Sequence, residues 1–323
     1  MKFPFTKALV TGGAGFIGSH IVEELVEMGV ETISIDDYFA GKHENLGHLK
    51  KYPHFHEVEC DVTDLKNLEN YFPGVDVVFH QAASKKTICL ADPRRDLDIN
   101  AKGTFNMLEL AVKYKTKKFM HASTGSVYGE GQYFPQDENH PLVPTSYYGV
   151  SKLAGEKYVK AFEHLYGLDT TVLRYFHVYG PRQESSNVGG VVSIFTRLML
   201  AEKPITIFGD GTQQRSFTFV KDVVKANLLA ATTSGTKGQV FNCASGIKVT
   251  IKELAEMIAE ILGIENQHIL FNDWMPGDIQ VFDVDNTKIC HTLNMQFLTD
   301  FHIGLVKTIG WAKNYFKENS TLV

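Results

Sequence analysis

Short apolar runs alternate with longer amphipathic stretches along the first 180 residues of the chain. The short runs are rich in β-branched and aromatic residues and predict strands, whereas the stretches between them repeat apolar residues at helical spacing. Strands that alternate with helices are typical of an α/β protein with a parallel, doubly wound sheet. Strands are predicted at residues 8–10, 31–35, 55–62, 75–80, 117–123 and 170–176, and helices at residues 64–71, 96–114 and 148–166.

The alternation weakens after residue 180, although further elements can be predicted there. Thr250 followed by Glu253 has the spacing of a capping box and indicates the start of a helix. The predicted elements are helices at residues 191–201, 220–232 and 251–262 and a strand at residues 239–243.

The chain contains no flexible linker, so we expect two closely joined parts. Residues 1–180 would form a Rossmann-type domain, and residues 181–323 a smaller C-terminal substrate-binding lobe. The pattern leaves open whether residues 239–243 return to the main sheet.

A glycine-rich turn joins the first predicted strand to a further predicted helix at residues 21–28. Gly12 and Gly13 permit the turn, Gly15 lets the backbone approach a pyrophosphate, and Gly18 lets the helix pack close to the strand. The N-terminus of the helix adds unpaired N–H groups and the positive end of a dipole. The turn therefore predicts a dinucleotide-binding site.

The second predicted strand ends in Asp36, about 20 residues after the glycines, as the dinucleotide fingerprint requires. A carboxylate at this position accepts hydrogen bonds from the ribose hydroxyls and repels a 2′-phosphate. We therefore expect the cofactor to be NAD rather than NADP.

Composition and charge narrow the class of protein. The chain has 323 residues, 44% hydrophobic and 21% charged, with a net charge of −5. These values are ordinary for a soluble globular protein and give no basis for a nucleic-acid or membrane partner. The start of the sequence lacks a signal-peptide pattern, and the four cysteines lack the spacing of metal ligands. We expect a cytoplasmic protein with reduced thiols and no metal site.

Candidate catalytic residues follow the fifth predicted strand. Tyr148 and Lys152 are four residues apart at a predicted helix start, which places both on one helix face. A nearby ammonium stabilises a phenolate and lowers its pKa toward the range of a general base. Thr124 and Ser126, at the carboxyl end of that strand, could hydrogen-bond a substrate oxygen.

These residues carry a resemblance to a known family. In their order along the chain, the motifs resemble those of the extended short-chain dehydrogenase/reductase family. Within it, the chain is most similar to nucleotide-sugar 4-epimerases of the UDP-glucose or UDP-N-acetylglucosamine type. The motifs are residues 11–18, Asp36, residues 60–62, 80–83, Asn100, Thr124, Tyr148 with Lys152, and residues 174–183.

The resemblance implies a role for each matching position. Tyr148 would be the base, Lys152 its partner and a ribose clamp, and Thr124 a hydroxyl that shares the proton. Residues implied to bind NAD are Gly12, Gly15, Phe16, Ile17, Gly18, Asp36, Asp61, Val62, Ala82, Ala83, Lys85, Asn100, Tyr148, Lys152 and Phe176. Residues implied to bind a nucleotide-diphosphate sugar are Thr124, Ser126, His177, Arg215 and Asp278.

The chain departs from the family pattern at three positions. Met275 and Gln280 stand where many relatives have arginines, and both positions flank the aspartate expected to bind the nucleotide ribose. His177 replaces the commoner asparagine. The missing arginines leave the nucleobase open, and the sequence does not identify the sugar.

The resemblance also separates possible reactions. Dehydratase relatives have an Asp-Glu pair after the threonine, which here is replaced by Gly125 and Ser126. A 4,6-dehydratase needs such groups to remove a proton and expel a hydroxyl. The expected activity is therefore 4-epimerisation through a transient 4-keto sugar. A dehydratase or dehydrogenase of the same family is the alternative, and a non-enzymatic NAD-sensing protein is a remote one.

The two helices at residues 96–114 and 148–166 carry apolar positions that relatives use in a four-helix bundle across a two-fold axis. We therefore expect a homodimer. The positions named for this face are Leu97, Phe105, Leu108, Val112, Val159 and Phe162.

Overall fold

The elements are described from a computed structural model, which covers residues 3–84, 91–186, 189–274 and 279–319. The strands are β1 (Lys7–Thr11), β2 (Glu31–Asp36), β3 (Phe55–Glu59), β4 (Val77–His80), β5 (Lys118–Thr124), β6 (Thr170–Tyr175), β7 (Val178–Tyr179), β8 (Ile205–Phe208), β9 (Gln214–Ser216), β10 (Thr218–Phe219), β11 (Gln239–Cys243), β12 (Lys248–Thr250) and β13 (Ile269–Asn272). The α-helices are α1 (Phe16–Glu27), α2 (Leu65–Leu68), α3 (Pro93–Leu97), α4 (Thr104–Lys113), α5 (Tyr147–Tyr166), α6 (Val191–Leu200), α7 (Val220–Thr232), α8 (Ile251–Leu262), α9 (Thr287–Leu293) and α10 (Phe301–Asn319).

Seven strands form one parallel sheet in the order β11-β6-β5-β4-β1-β2-β3. This is a Rossmann-type doubly wound sheet. The chain reverses its direction of progress between β1 and β4, which are neighbours in the sheet although not in sequence. Crevices at such a switch point are where open α/β sheets bind ligands. The strand β11 pairs with β6 and so places residues 239–243 in the main sheet.

Both faces of the sheet are covered at its centre, which explains why β1 and β4 are apolar without alternation. In β1, Ala8 and Val10 belong to the core under α1 and α7. Leu9, which points to the opposite face, belongs to the core under α4 and α5. A third hydrophobic core lies in the C-terminal part of the chain between α6, α8 and α10.

Two predicted helices have different boundaries in the structure. The helix predicted at residues 96–114 begins earlier, as α3, because Asp92 accepts a hydrogen bond from the Arg95 N–H and Pro93 occupies the first turn. A π-helical segment, Asp98–Gly103, then separates α3 from α4. The helix predicted at residues 64–71 is split into α2 and a 3₁₀ turn at Glu69–Tyr71.

The capping box predicted at Thr250 is present at the start of α8. The Thr250 hydroxyl accepts from the Glu253 N–H at 3.1 Å, and the Glu253 carboxylate accepts from the Thr250 N–H at 2.8 Å.

We expect Thr250→Ala to lower the free energy of unfolding by about 1 kcal/mol, since it leaves a helix N–H without its acceptor. Chemical denaturation measures this change. Thr250→Ser keeps the hydroxyl and is the control, so an equal loss in both variants would contradict the assignment.

Candidate active site

The glycine turn is tight because other backbone atoms lie against it. Gly12 has φ +63°, and a Cβ there would lie 2.8 Å from the amide nitrogen of Ala82. A Cβ on Gly18 would overlap the Gly12 carbonyl oxygen, so the first turn of α1 packs directly on the loop. The Gly15 N–H donates to the Gly12 oxygen at 3.1 Å. The turn therefore presents bare backbone at the N-terminus of α1, where an anion is favoured.

Asp36 at the end of β2 is tied to the same turn. Its Oδ2 accepts from the Ala14 N–H at 3.0 Å, and its Oδ1 accepts from the Tyr38 N–H at 2.9 Å. Burial raises the pKa of this carboxyl. Each carboxylate oxygen can accept more than one hydrogen bond, so Asp36 can still receive hydroxyl donors from the cavity that it lines.

A cavity of about 250 Å³ extends from the glycine turn along the carboxyl ends of the strands. Its lining includes both Asp36, at the end of β2, and Tyr148 on α5. The predicted cofactor residues that line it are Gly12, Gly15, Phe16, Ile17, Gly18, Asp36, Asp61, Val62, Ala82, Ala83, Tyr148 and Lys152.

Helix α5 brings Tyr148 and Lys152 to this cavity. The helix begins at a side-chain cap, because the Ser146 hydroxyl accepts from the Gly149 N–H at 3.1 Å. Tyr148 and Lys152 follow one turn apart on the inward face, and both line the cavity. The pair expected from the sequence is therefore present at the site.

The ammonium group of Lys152 is buried and makes no hydrogen bond to the described residues. Burial lowers the pKa of Lys152 to about 8, although Glu156 and Asp96 act in the opposite direction. A buried ammonium with donors to spare fits a cavity that receives a polar ligand. It also supplies positive charge next to Tyr148.

Thr124 lies in a second cavity of about 200 Å³. Its hydroxyl accepts from the Ser126 N–H at 3.1 Å and donates to the Ser126 hydroxyl at 3.3 Å. Tyr175 lines both cavities and joins them. The described lining of the second cavity is Thr124, Gly125, Ser126, Tyr175, Phe176, His177, Ile279 and Phe282.

Some predicted residues lie elsewhere. Asn100 is fully buried beneath the first cavity, where its Oδ1 accepts from the Ser84 N–H at 3.0 Å. Phe176 lines the second cavity rather than the first. Arg215 is buried behind the second cavity, and its Nη1 donates to the Ile279 oxygen at 2.7 Å. The predicted residues Lys85 and Asp278, and also Met275, lie outside the described residues.

The structure adds three cationic residues to the first cavity that sequence analysis did not assign: Lys42, Arg95 and Arg182. Arg182 has φ +68° and donates to the Glu23 carboxylate of α1 at 2.8 Å. Arg95 donates to Asp37 at 2.8 Å. The position of Arg182, directly after Gly180-Pro181, gave a weak signal of a turn at the site. No local sequence signal placed Lys42 at the cavity, because its position depends on how the loop after β2 folds back.

The described residues contain no cluster of histidine, cysteine or acidic side chains able to hold a metal ion. None of the described helices combines the length and apolarity needed to cross a membrane.

Comparisons with known proteins agree with this geometry. A family model described as the NAD dependent epimerase/dehydratase family matches residues 8–244. The chain is 36% identical to the UDP-glucose 4-epimerase of Mycolicibacterium smegmatis over 95% of this chain and 99% of that relative. A UDP-glucose 4-epimerase structure from Thermotoga maritima, with UDP-glucose, has a TM-score of 0.90 and 37% identity over 96% of this chain and 99% of that one. The dTDP-glucose 4,6-dehydratase of Streptomyces venezuelae, with NAD bound, has a TM-score of 0.92 and 28% identity over 98% and 100%.

The lowered pKa of Lys152 predicts how stability depends on pH. The folded protein binds fewer protons at this lysine than the unfolded chain between about pH 8 and pH 10.5, so stability rises with pH across that window. Lys152→Met lacks this titration. We therefore compare the free energy of unfolding of Lys152→Met with that of the unmodified protein. We expect the value for Lys152→Met to fall by about 3 kcal/mol relative to the unmodified protein as the pH rises from 7 to 10.5.

Urea unfolding at a series of pH values measures this difference. Lys102→Met, at an exposed position, is the matched control and should differ from the unmodified protein by the same amount at each pH. A difference for Lys152→Met that stays constant from pH 7 to pH 10.5 would contradict the lowered pKa.

Proposed function

The chain belongs to the NAD dependent epimerase/dehydratase family, and we propose that it is a nucleotide-sugar 4-epimerase. Its cofactor is NAD. The proposal is supported by the similarity to UDP-glucose 4-epimerases over nearly the whole chain. It is also supported by the chemical character of the second cavity, which distinguishes this activity from that of dehydratase relatives.

The first cavity fits NAD. The glycine turn and the α1 N-terminus would hold the pyrophosphate, and Arg182 would add positive charge beside them. Asp36 would accept from the adenosine ribose, while Asp61 and Val62 would contact the adenine. Ala82 and Ala83 would line the nicotinamide side, with Lys152 donating to the second ribose. When bound, NAD supplies a reversible acceptor for the hydrogen on C4 of the sugar.

Tyr148 would act as the base. Its phenol oxygen would take the proton of the C4 hydroxyl as the sugar is oxidised, and would return it when the alcohol forms again. Lys152 would stabilise the phenolate through its positive charge. The Thr124 hydroxyl, which lines the second cavity, would hydrogen-bond the same substrate oxygen and orient it toward Tyr148.

The second cavity favours epimerisation over dehydration. None of its described lining residues carries a carboxyl group. A Cβ at Gly125 would overlap the Phe176 ring, so this position has no room for an acidic side chain. Elimination of water requires an acid and a base that reach C5 and C6. Epimerisation requires only one base and space for the keto sugar to turn. The lack of a carboxyl group among the described lining residues is the observation that carries the proposal.

The sugar nucleotide would enter from the second cavity. Ser126 and His177 would contact the sugar and its diphosphate. Arg215 remains the expected partner of the diphosphate and Asp278 that of the nucleotide ribose. The Gln280 N–H, at one of the positions where relatives have an arginine, donates to the Glu130 carboxylate at 3.0 Å.

The role of Tyr148 can be tested by removing its hydroxyl. We expect Tyr148→Phe to lower turnover at least ~100-fold, the scale of a positioned general base. Affinity for the nucleotide sugar should change little because the ring remains. Tyr166→Phe is the matched control, since Tyr166 also lies on α5, at its far end, and is 59% exposed. Equal turnover of the Tyr148→Phe variant and the unmodified enzyme would contradict the assignment.

The reaction class can be tested in D₂O with UDP-glucose and UDP-N-acetylglucosamine as substrates. Tyr148 exchanges only the hydroxyl proton with solvent, so NMR should show the C4 epimer without deuterium at C4 or C5. Deuterium at C5 with loss of water would instead identify a dehydratase, and stoichiometric NADH would identify a dehydrogenase. Either result would leave the fold and the cofactor assignment intact.

We also propose that the protein is a homodimer that pairs the outer faces of α4 and α5. Leu108, Val159 and Phe162, which sequence analysis placed on this face, are buried in the chain's own core. Leu97 and Phe105, which sequence analysis also named, are exposed. Together with Tyr147, Val150, Tyr158 and Leu165 they form the exposed apolar face. Phe105 and Tyr158 already pack edge to face, with ring centroids 5.3 Å apart.

Charge placed on this face should separate the subunits. We expect the double variant Phe105→Arg/Tyr158→Arg to have the mass of a monomer in light scattering at micromolar concentration, where the unmodified protein should be a dimer. The reason is that four guanidinium groups, two from each subunit, would be buried in the interface. Leu298→Arg, at a residue that is 70% exposed elsewhere on the surface, is the control and should remain dimeric. A monomeric mass for the unmodified protein would overturn the proposal.

A further inference from the structure

A buried histidine, His80, ends the strand β4 beneath the first cavity. Both of its ring nitrogens have partners. Nδ1 is 2.7 Å from the Thr11 hydroxyl oxygen, and Nε2 is 3.0 Å from the Thr104 hydroxyl oxygen. The proposed reaction gives this imidazole no role, although its motif is one of those that carry the family resemblance.

The hydrogen bonds around His80 determine where its proton lies. The Thr104 hydroxyl donates its hydrogen to the Asn100 carbonyl at 2.7 Å, so it can only accept from Nε2–H. Burial, with Lys152 nearby, lowers the pKa of His80 to about 3, so the ring is neutral. Nδ1 is therefore the acceptor, and the Thr11 hydroxyl must donate to it.

The orientation of Thr11 is passed on to the cavity wall. With its hydrogen directed at His80, the Thr11 oxygen accepts from the Ala82 N–H at 3.3 Å. Two residues further on, the Ser84 N–H donates to the Asn100 side chain. One connected set of hydrogen bonds thus fixes both ends of the segment 82–84, which lines the first cavity. Neither Thr11 nor His80 lines that cavity.

We propose that His80 is a positioning residue for cofactor binding: as a neutral imidazole with its proton on Nε2, it orients the Thr11 hydroxyl, which holds the segment 82–84 against bound NAD. The inference rests on the assignment of the first cavity to NAD and is independent of the sugar reaction. Its tests therefore need no substrate.

The chain offers a matched control. His121 lies on the neighbouring strand in register with His80, with ring centroids 5.6 Å apart. It is equally buried, yet neither of its ring nitrogens has a hydrogen-bond partner among the described residues. Replacing either histidine with phenylalanine keeps a ring in the core, but only the change at His80 removes the contact to Thr11.

The first test measures how fast NAD leaves the holoenzyme on dilution. We expect His80→Phe and Thr11→Val to accelerate release roughly 3- to 10-fold, the scale of one buried hydrogen bond. His121→Phe and Thr11→Ser, which keeps the hydroxyl, should stay within about 2-fold of the unmodified protein. Equal acceleration by His80→Phe and His121→Phe would show a general packing effect and overturn the proposal.

The double variant His80→Phe/Thr11→Val tests whether the two residues act as one unit. If His80 acts through Thr11, the double variant should release NAD no faster than the faster single variant. Multiplicative effects would overturn the proposal. If His80→Phe does not fold, Thr11→Val and Thr11→Ser still test the proposal. A rate of NAD release that is unchanged by Thr11→Val would contradict it.

The second test observes the proton directly in the unmodified holoenzyme. Nitrogen-15 NMR of histidine-labelled protein distinguishes a protonated from an unprotonated ring nitrogen. We expect one buried histidine to keep Nδ1 unprotonated and Nε2 protonated from pH 5 to pH 9, and its signals to disappear in His80→Phe. An Nδ1–H tautomer or a titration within this range would contradict the inference.

Discussion

The close approach of two strand ends sets the geometry of the cofactor side. β1 and β4 are neighbours in the sheet, so the turn after β1 and the segment after β4 leave the same edge side by side. Gly12 leaves no space for a side chain between them, since a Cβ there would meet the Ala82 backbone. At this point the crevice presents backbone, which a bound dinucleotide can approach closely. Every other element of the first cavity is placed relative to this pair of strands.

Besides the hydrogen bonds around His80, a second hydrogen-bond network connects buried charged side chains on α5 and β6. Glu156, one turn after Lys152 on α5, accepts from two nitrogens of Arg174 on β6, at 3.0 and 2.7 Å. Arg174 also donates to the Tyr128 hydroxyl, which donates to the Asn242 side chain on β11. Removing one partner of a buried ion pair is strongly destabilising because the other charge remains. This chain of contacts therefore ties α5, the helix that carries Tyr148, to the far edge of the sheet.

Local signals were sufficient for most of the Rossmann-type half of the fold. The glycine turn, the strand that ends in Asp36, and the helix that carries Tyr148 and Lys152 each depend on residues within a few positions of one another. The C-terminal elements were harder to predict, although α10 repeats buried residues at helical spacing in Phe301, Leu305 and Ile309. The placement of Arg215 behind a cavity wall could not be predicted, because its partner Ile279 is 64 positions away. Which face of α5 is core and which is exposed also depends on tertiary packing.

Of all parts of the candidate site, the second cavity depends least on local sequence. Its wall combines the turn after β5, the residues between β6 and β7, and the segment around Ile279 and Phe282. His177 stands at φ +32° where these parts meet, with its ring centroid 4.9 Å from that of Phe282. Packing of this kind fixes the width of the cavity at Gly125, where the Phe176 ring fills the space that a side chain would need. The sheet and the first cavity would hold NAD, the cofactor on which this family depends. The described residues of the second cavity's wall offer hydroxyls and aromatic rings rather than a carboxyl group, and their packing limits what can bind there.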